Sequence, residues 1–413
     1  MNCKLLLAAL LSSLLLAPAA LCQPTTPDVN RYGTNNQVSD MIAIYYAREN
    51  RLQWTTEHLT PYVTHTFQDG HTEWLFQGFM FIDFVINNRM LLHHKDTYQS
   101  AVKSDWQQLL EMPFTAGRMF DALDQTISSY KQQLGAPPFR HKVVMGIPIP
   151  IKNQTNWGRI GNRNLDFSRD DDRVTAIKWF IDEFLKEYKK HHYRNFDLDG
   201  FYWVEEDMEQ TNQLATPISA YLHRLGYKHY WMPYLKAFGS TDWQPKGFDY
   251  CYTQPGSYCC LEDRDTTIVV SACQKAKRRG MGLVMEINEK LFGKPDVFIP
   301  RINKCIDIFE QYGVYDQAAM SYYDAERMIY CIREGKLLKH TLTGKHLVMA
   351  RQVMDRMAQH IVDRYKRRYL PAYTPTQDSS GQGSGTGTNS GTGTGGGNQR
   401  GSDDWRNPDY WHF

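Results

Sequence analysis

Eight short runs, each apolar and rich in β-branched or aromatic residues, recur along the chain, and most are separated by amphipathic helical stretches. They are "DMIAIYYA" (40–47), "FQGFMFIDFV" (76–85), "KVVMGIPIPI" (142–151), "FDLDGFYWV" (196–204), "YKHYWMPYL" (227–235), "GFDYCYTQ" (247–254), "GMGLVMEIN" (280–288) and "QAAMSYYD" (317–324). Near-continuous apolar runs of this length read as strands covered on both faces. Eight of them with helical crossovers predict an α/β fold of one main domain, a parallel (β/α)8 TIM barrel. An open doubly wound α/β sheet is the competing arrangement. It usually brings a Gly-rich phosphate turn after its first strand, and "IAIYYAREN" has none.

The crossovers are uneven. The stretch between the second and third runs must carry two helices, "DTYQSAVKSDWQQLLE" and "FDALDQTISSYKQQLG". The clearest helix is "SRDDDRVTAIKWFIDEFLKEYKKHHY", with Ser168 expected as its cap and Val174, Ile177, Ile181, Phe184 and Tyr188 as its apolar stripe. On that reading Asp170, Asp171 and Asp172 are first-turn charges and His191 with His192 is a solvated helix end. Neither cluster is then a metal site.

The flanks have a different character. Met1 to Lys4 followed by an apolar run from Leu5 to Leu16 and then "APAALCQP" predicts a secretory leader over residues 1–22. Cleavage after Ala19 or Cys22 would free the protein. Cleavage before Cys22 would leave a lipid anchor there, although Leu21 stands where Gly, Ala or Ser is usual. The expected location is outside the cytoplasm of a bacterium: periplasmic, on the outer-membrane surface or secreted. The barrel is expected over 38–375, a Gly/Ser/Thr-rich linker over 376–402, and an aromatic stub, "DDWRNPDYWHF", over 403–413. No later run approaches the ~20 apolar residues of a membrane span. Six cysteines follow the leader (Cys251, Cys259, Cys260, Cys273, Cys305 and Cys331), and an exported even set permits disulfides, with buried free thiols as the alternative.

A formal charge of +2 and a pI near 8.0 set up no large field of one sign and point away from nucleic acid. No P-loop, HExxH, GxSxG or CxxC is present, so no cofactor or metal is expected and a peptidase or esterase lacks its nucleophile elbow. The 25 Tyr, 19 Phe and 10 Trp supply many flat faces, which suit sugar rings.

In a parallel barrel the chemistry sits at the carboxyl ends of the strands. Glu205 and Glu206 end the fourth run, and Glu286 stands near the end of the seventh. Alternation puts Gly282, Val284 and Glu286 on one face of the seventh strand, and Gly200, Tyr202, Val204 and Glu206 on one face of the fourth. Parity therefore favours Glu206 over Glu205, and a bulge at the strand end would reverse that choice. Two carboxylates in one mouth can divide the work of glycosidic cleavage, one protonating the leaving oxygen and the other attacking or activating water. The competing reading leaves Glu205 in solvent and Glu286 buried against an Arg or Lys. Candidate substrate contacts around the mouth are Trp157, Tyr202, Trp203, Trp231, Tyr234, Tyr252, Gln254, Tyr258, Asn288, Tyr322, Tyr323 and Asp324.

The segments "FDLDGFYWVEE", "YWMPYLKAFGSTDWQPKGFDYCYTQPGSY" and "GMGLVMEINEK", with the earlier "LQWTTEHLTPYV", resemble a family of exported bacterial proteins catalogued as domain of unknown function 4855. The likeness spans roughly Asp40 to Asp324. It implies a glycoside-hydrolase-like TIM barrel and a sugar substrate. The placement on strands four and seven also resembles the large retaining glycosidase clan, whose acid/base follows an Asn on strand four. Here Val204 or Glu205 occupies that place. The resulting expectation is an exported, monomeric glycoside hydrolase acting on a polysaccharide or glycan with retention, with Glu206 or Glu205 as acid/base and Glu286 as nucleophile. A barrel that binds glycans without cleaving them is the alternative.

Overall fold

The computed structural model describes residues 38–48, 52–93, 99–325 and 327–370. The expected leader, Cys22, the linker and the aromatic stub lie outside them. All eight expected strands form: β1 (Asp40–Tyr45), β2 (Gly78–Ile82), β3 (His141–Ile147), β4 (Phe196–Trp203), β5 (Lys228–Trp231), β6 (Tyr250–Thr253), β7 (Gly282–Glu286) and β8 (Met320–Tyr323). Each pairs in parallel with its neighbours, and β8 closes on β1 through Asp40 to Ile42. That closure makes a (β/α)8 barrel and sets the open-sheet alternative aside.

Helices α1 (Thr56–Val63), α2 (Lys103–Glu111), α3 (Met119–Leu134), α4 (Asp170–His191), α5 (Asn212–Arg224), α6 (Thr266–Arg279), α7 (Pro295–Gln311), α8 (Met328–Glu334) and α9 (Gly344–Tyr369) surround the sheet. The second crossover carries both α2 and α3, as its length requires. The crossover from β5 to β6 has only a 3-10 turn at Ser240–Asp242.

At α4 the start differs from expectation. Arg169 caps the helix with extended backbone and no side-chain bond. Ser168 instead gives its amide to Asp166 Oδ1 at 2.9 Å, an Asx turn that competes with capping. Asp170, Asp171 and Asp172 do fill the first turn. Asp172 is buried, receives the Asp166 N–H at 2.9 Å and pairs with Arg163. His191 and His192 are exposed at the far end, His192 in the left-handed region at φ 49°.

The barrel is filled by side chains of one parity. Phe201 packs outward on Phe184 of α4, which leaves Tyr202 inside, and Tyr202 aligns with Tyr230 and Tyr230 with Tyr250 across β4, β5 and β6. The Tyr230 and Tyr250 rings stack at 4.7 Å. Two glycines make this fit. A Cβ on Gly200 would lie 2.1 Å from Lys228 O, and one on Gly282 would meet the Tyr252 ring at 2.6 Å. β4 slips register between Leu198 and Gly200. The slip precedes Gly200, so the alternation from Gly200 onward is intact.

The last helix seals the barrel. Arg364 of α9 pairs with Asp40 at 3.0 Å and donates to the carbonyls of Ser39, Tyr315 and Ala318. Among the described residues all six cysteines are buried and none is joined in a disulfide. No helix among the described residues is long and apolar enough to cross a membrane.

Candidate active site

Glu286 is the last residue of β7 and is 3% exposed. Glu206 follows β4 on its inward parity and is half-buried. Gln254, inward from the end of β6, donates to Glu206 Oε1 at 2.7 Å. Glu286 receives the backbone N–H of Ser257, and Cys260 Sγ lies 4.0 Å from its Oε2. The loop that delivers that N–H turns through two consecutive left-handed residues, Gly256 at φ 63° and Ser257 at φ 61°. Such strain persists only where the surroundings enforce it.

Burial pushes the Glu206 carboxyl up to about 7, with the Glu205 charge adding to the rise and the Gln254 bond opposing it. Burial likewise pushes Glu286 up to about 8, with the Glu206 charge adding and the Ser257 N–H opposing. Ionised Glu206 disfavours ionisation of Glu286, so the pair titrates as a unit and holds one proton between its two steps.

Glu205 has a different setting. It points away from the barrel axis and is 5% exposed, so it does not face solvent. Its Oε2 receives the His93 N–H at 2.9 Å and lies 3.0 Å from His93 Nδ1. His93 Nε2 accepts the Lys152 N–H at 2.8 Å, so a neutral ring carries its proton on Nδ1 and donates it to Glu205. Trp231 Nε1 donates to Glu205 O at 2.7 Å. Nor is Glu286 capped by Arg or Lys: among the described residues no cation offsets its charge.

The other expected contacts divide. Tyr202 and Tyr252 lie inside the barrel, buried beneath the mouth. Tyr234 is half-buried and gives its hydroxyl to Asp207 at 2.7 Å. Tyr323 is half-buried against Tyr45 at 5.8 Å, and Asn288 is half-buried and accepts the Lys290 N–H at 3.0 Å.

Six others do not line the mouth. Trp203 and Trp231 have outward parity and pack on His229 at 5.7 Å and Phe248 at 5.2 Å. Trp157 is buried between Trp106 and Trp179. Tyr258 lies under the Arg301 guanidinium at 4.1 Å. Tyr322 is turned outward and gives its hydroxyl to Asp40 at 2.8 Å. Asp324, also outward, accepts Tyr62 of α1 at 2.6 Å and the Ile329 N–H at 3.4 Å. His93 and Asp207 enter the site unannounced by the sequence. A lone His between strands carries no spacing signal, but Asp207 directly follows the two glutamates.

No group of three or more His, Cys, Asp or Glu side chains among the described residues could hold a metal ion.

The family described as domain of unknown function DUF4855 matches residues 40–342. Solved structures similar to the chain include one from Bacteroides thetaiotaomicron VPI-5482 provisionally described as an alpha-L-fucosidase, at 12% identity over 89% of this chain and 99% of that one, with a TM-score of 0.38. The ICChI chitinase of Ipomoea carnea is similar at 13% identity over 76% and 99% of the two chains, with a TM-score of 0.34. The PgaB (BpsB) glycoside hydrolase domain of Bordetella bronchiseptica is similar at 9% identity over 73% and 99%, also with a TM-score of 0.34. Likeness of this degree transfers no reaction from one barrel to another. No curated protein sequence matches.

Proposed function

The chain belongs to the family catalogued as domain of unknown function DUF4855, and we propose that this member is a glycoside hydrolase cleaving a polysaccharide or glycan with its paired carboxylates. The observation that carries the reading is the pair itself. Glu206 and Glu286 come close enough that the charge of the first opposes ionisation of the second, with no cation to relieve either among the described residues. A pair sharing one proton matches what glycosidic cleavage consumes, one acid and one carboxylate.

In the proposed cycle the single proton, which rests on Glu286 in the free protein, resides on Glu206 in the productive form, where it passes to the departing glycosidic oxygen while the Glu286 carboxylate attacks the anomeric carbon. Water then displaces Glu286 from that carbon and returns its proton to Glu206, giving a product of retained configuration. Gln254 holds Glu206 by one oxygen, and the Ser257 N–H orients Glu286. Glu205 sets the strand end through His93 and takes no proton from substrate.

A second reading, a barrel that captures glycans without cleaving them, draws on the burial of Glu286. Incubation of the mature protein with an array of plant, bacterial and host glycans, followed by product analysis, separates the two. Products from the wild type that vanish in Glu286→Gln support hydrolysis, and binding without products overturns it. Export remains part of the proposal. The exported protein is expected to lack the leader by mass, and a diacylglycerol on Cys22 would show an anchor in place of free release.

A further inference from the structure

The turn after β5 is tied to the Glu206 segment at both ends. At its start, the Gln254 amide that holds Glu206 also donates to Met232 O at 3.0 Å, and the Gln254 N–H reaches Pro233 O at 3.2 Å. At its far end, the Phe238 N–H donates to Asp207 Oδ2 at 2.8 Å, and the Phe238 carbonyl accepts the Met208 N–H at 3.2 Å. The Tyr234 hydroxyl closes on the same Asp207 oxygen. Gly239, next in the chain, stands at φ 80°, and a Cβ there would come within 2.9 Å of Met208 Cβ. The backbone carrying Phe238 is therefore fixed on both sides to the residues that directly follow Glu206.

The ring on this fixed backbone is 57% exposed, the one aromatic among the exposed large apolar side chains of the described residues. A single exposed apolar residue is ordinary on a surface. One whose backbone is held by the residues that directly follow Glu206 is differently situated, because a pre-positioned flat face can take the apolar C–H face of a pyranose with little ordering left to do.

We propose that Phe238 is a sugar-stacking subsite of this mouth and takes the pyranose ring on the leaving-group side of the bond; this rests on the carboxylate reading above. The side follows from connectivity. Phe238 is anchored to the segment of the proton donor, and the donated proton goes to the oxygen that departs with the leaving sugar.

The test uses an immobilised array of plant, bacterial and host oligosaccharides two to eight units long, probed with the Glu286→Gln chain and with Glu286→Gln/Phe238→Ala. Binding is expected to fall about tenfold on loss of the ring and to be kept in Glu286→Gln/Phe238→Trp, with melting temperatures alike because the ring is exposed. Equal binding with and without the ring overturns the subsite and leaves the hydrolase reading standing. Binding that depends on Phe238, in a protein whose wild type cleaves nothing on the array, overturns the hydrolase reading and keeps the sugar contact. No binding and no cleavage overturns both.

Discussion

Acids buried near the two ends of this barrel meet opposite treatment. Near the amino-terminal end, Asp40 has the Arg364 guanidinium at 3.0 Å and accepts the hydroxyls of Tyr322 at 2.8 Å and Ser39 at 2.7 Å. Asp199 has Lys228 at 3.2 Å and the Tyr230 hydroxyl. At the carboxyl-terminal mouth, Glu206 and Glu286 have a neutral amide, a backbone N–H and a thiol. A buried acid matched by a cation holds the fold together, whereas two buried like charges without one cost stability and invite a functional explanation.

Neutralising the acids of each end in turn separates their roles. Glu286→Gln is expected to lower turnover by roughly three orders of magnitude or more while the chain stays folded, read by initial rates and circular dichroism. Glu206→Gln should cost about 10²- to 10⁴-fold on sugars with poor leaving groups and far less on activated aryl glycosides, which need no proton. Glu205→Gln leaves a neutral group beside His93 and should cost less than either. If it shows the leaving-group pattern and Glu206→Gln is nearly silent, the acid is Glu205. At the other end, Arg364→Met strands Asp40 and should destabilise by about 3–5 kcal/mol in urea unfolding. Asp40→Leu/Arg364→Met should recover much of that, and failure to recover would show that Arg364 acts through the backbone carbonyls it caps.

Legibility in the sequence followed the same divide. The eight strands are evident because strands covered on both faces carry their burial in composition. The inward placement of Glu206 and Glu286 follows from parity counted along β4 and β7, and it survives because the β4 register slip falls before Gly200. The aromatic contacts failed where chain position replaced parity. Trp203 and Trp231 stand at strand ends on the outer face, and Tyr322 and Asp324 share that outward parity on β8. Trp157 and Tyr258 sit on loops whose paths no periodicity encodes. Asp40 with Arg364, and Glu205 with His93, are partners joined only by barrel closure and loop folding. Local patterns hold no record of such pairs.

The smallest effect contrasts the two ends by pH. Glu206 and Glu286 titrate higher in the folded protein than unfolded, so between about pH 4.5 and 8 the native state binds more protons than the unfolded one. Their contribution is full below that window and is lost as pH rises through it. Near the amino-terminal end the sign reverses. Burial pushes His141 and His229 down to about 3, so the unfolded chain binds more protons below about pH 6.5, and stability is lost as pH falls. Replacing Glu286 by Gln touches only the first effect. The mutant and wild type should melt together at pH 4, where the carboxyl is protonated in the native and largely in the unfolded chain and the amide mimics it. At pH 8.5 the mutant should melt roughly 2–4 °C higher, having no charge to bury. Calorimetry at the two pH values checks this. Equal losses in both proteins would mean that Glu286 ionises freely, and the contrast between a compensated floor and an uncompensated mouth would fall with it.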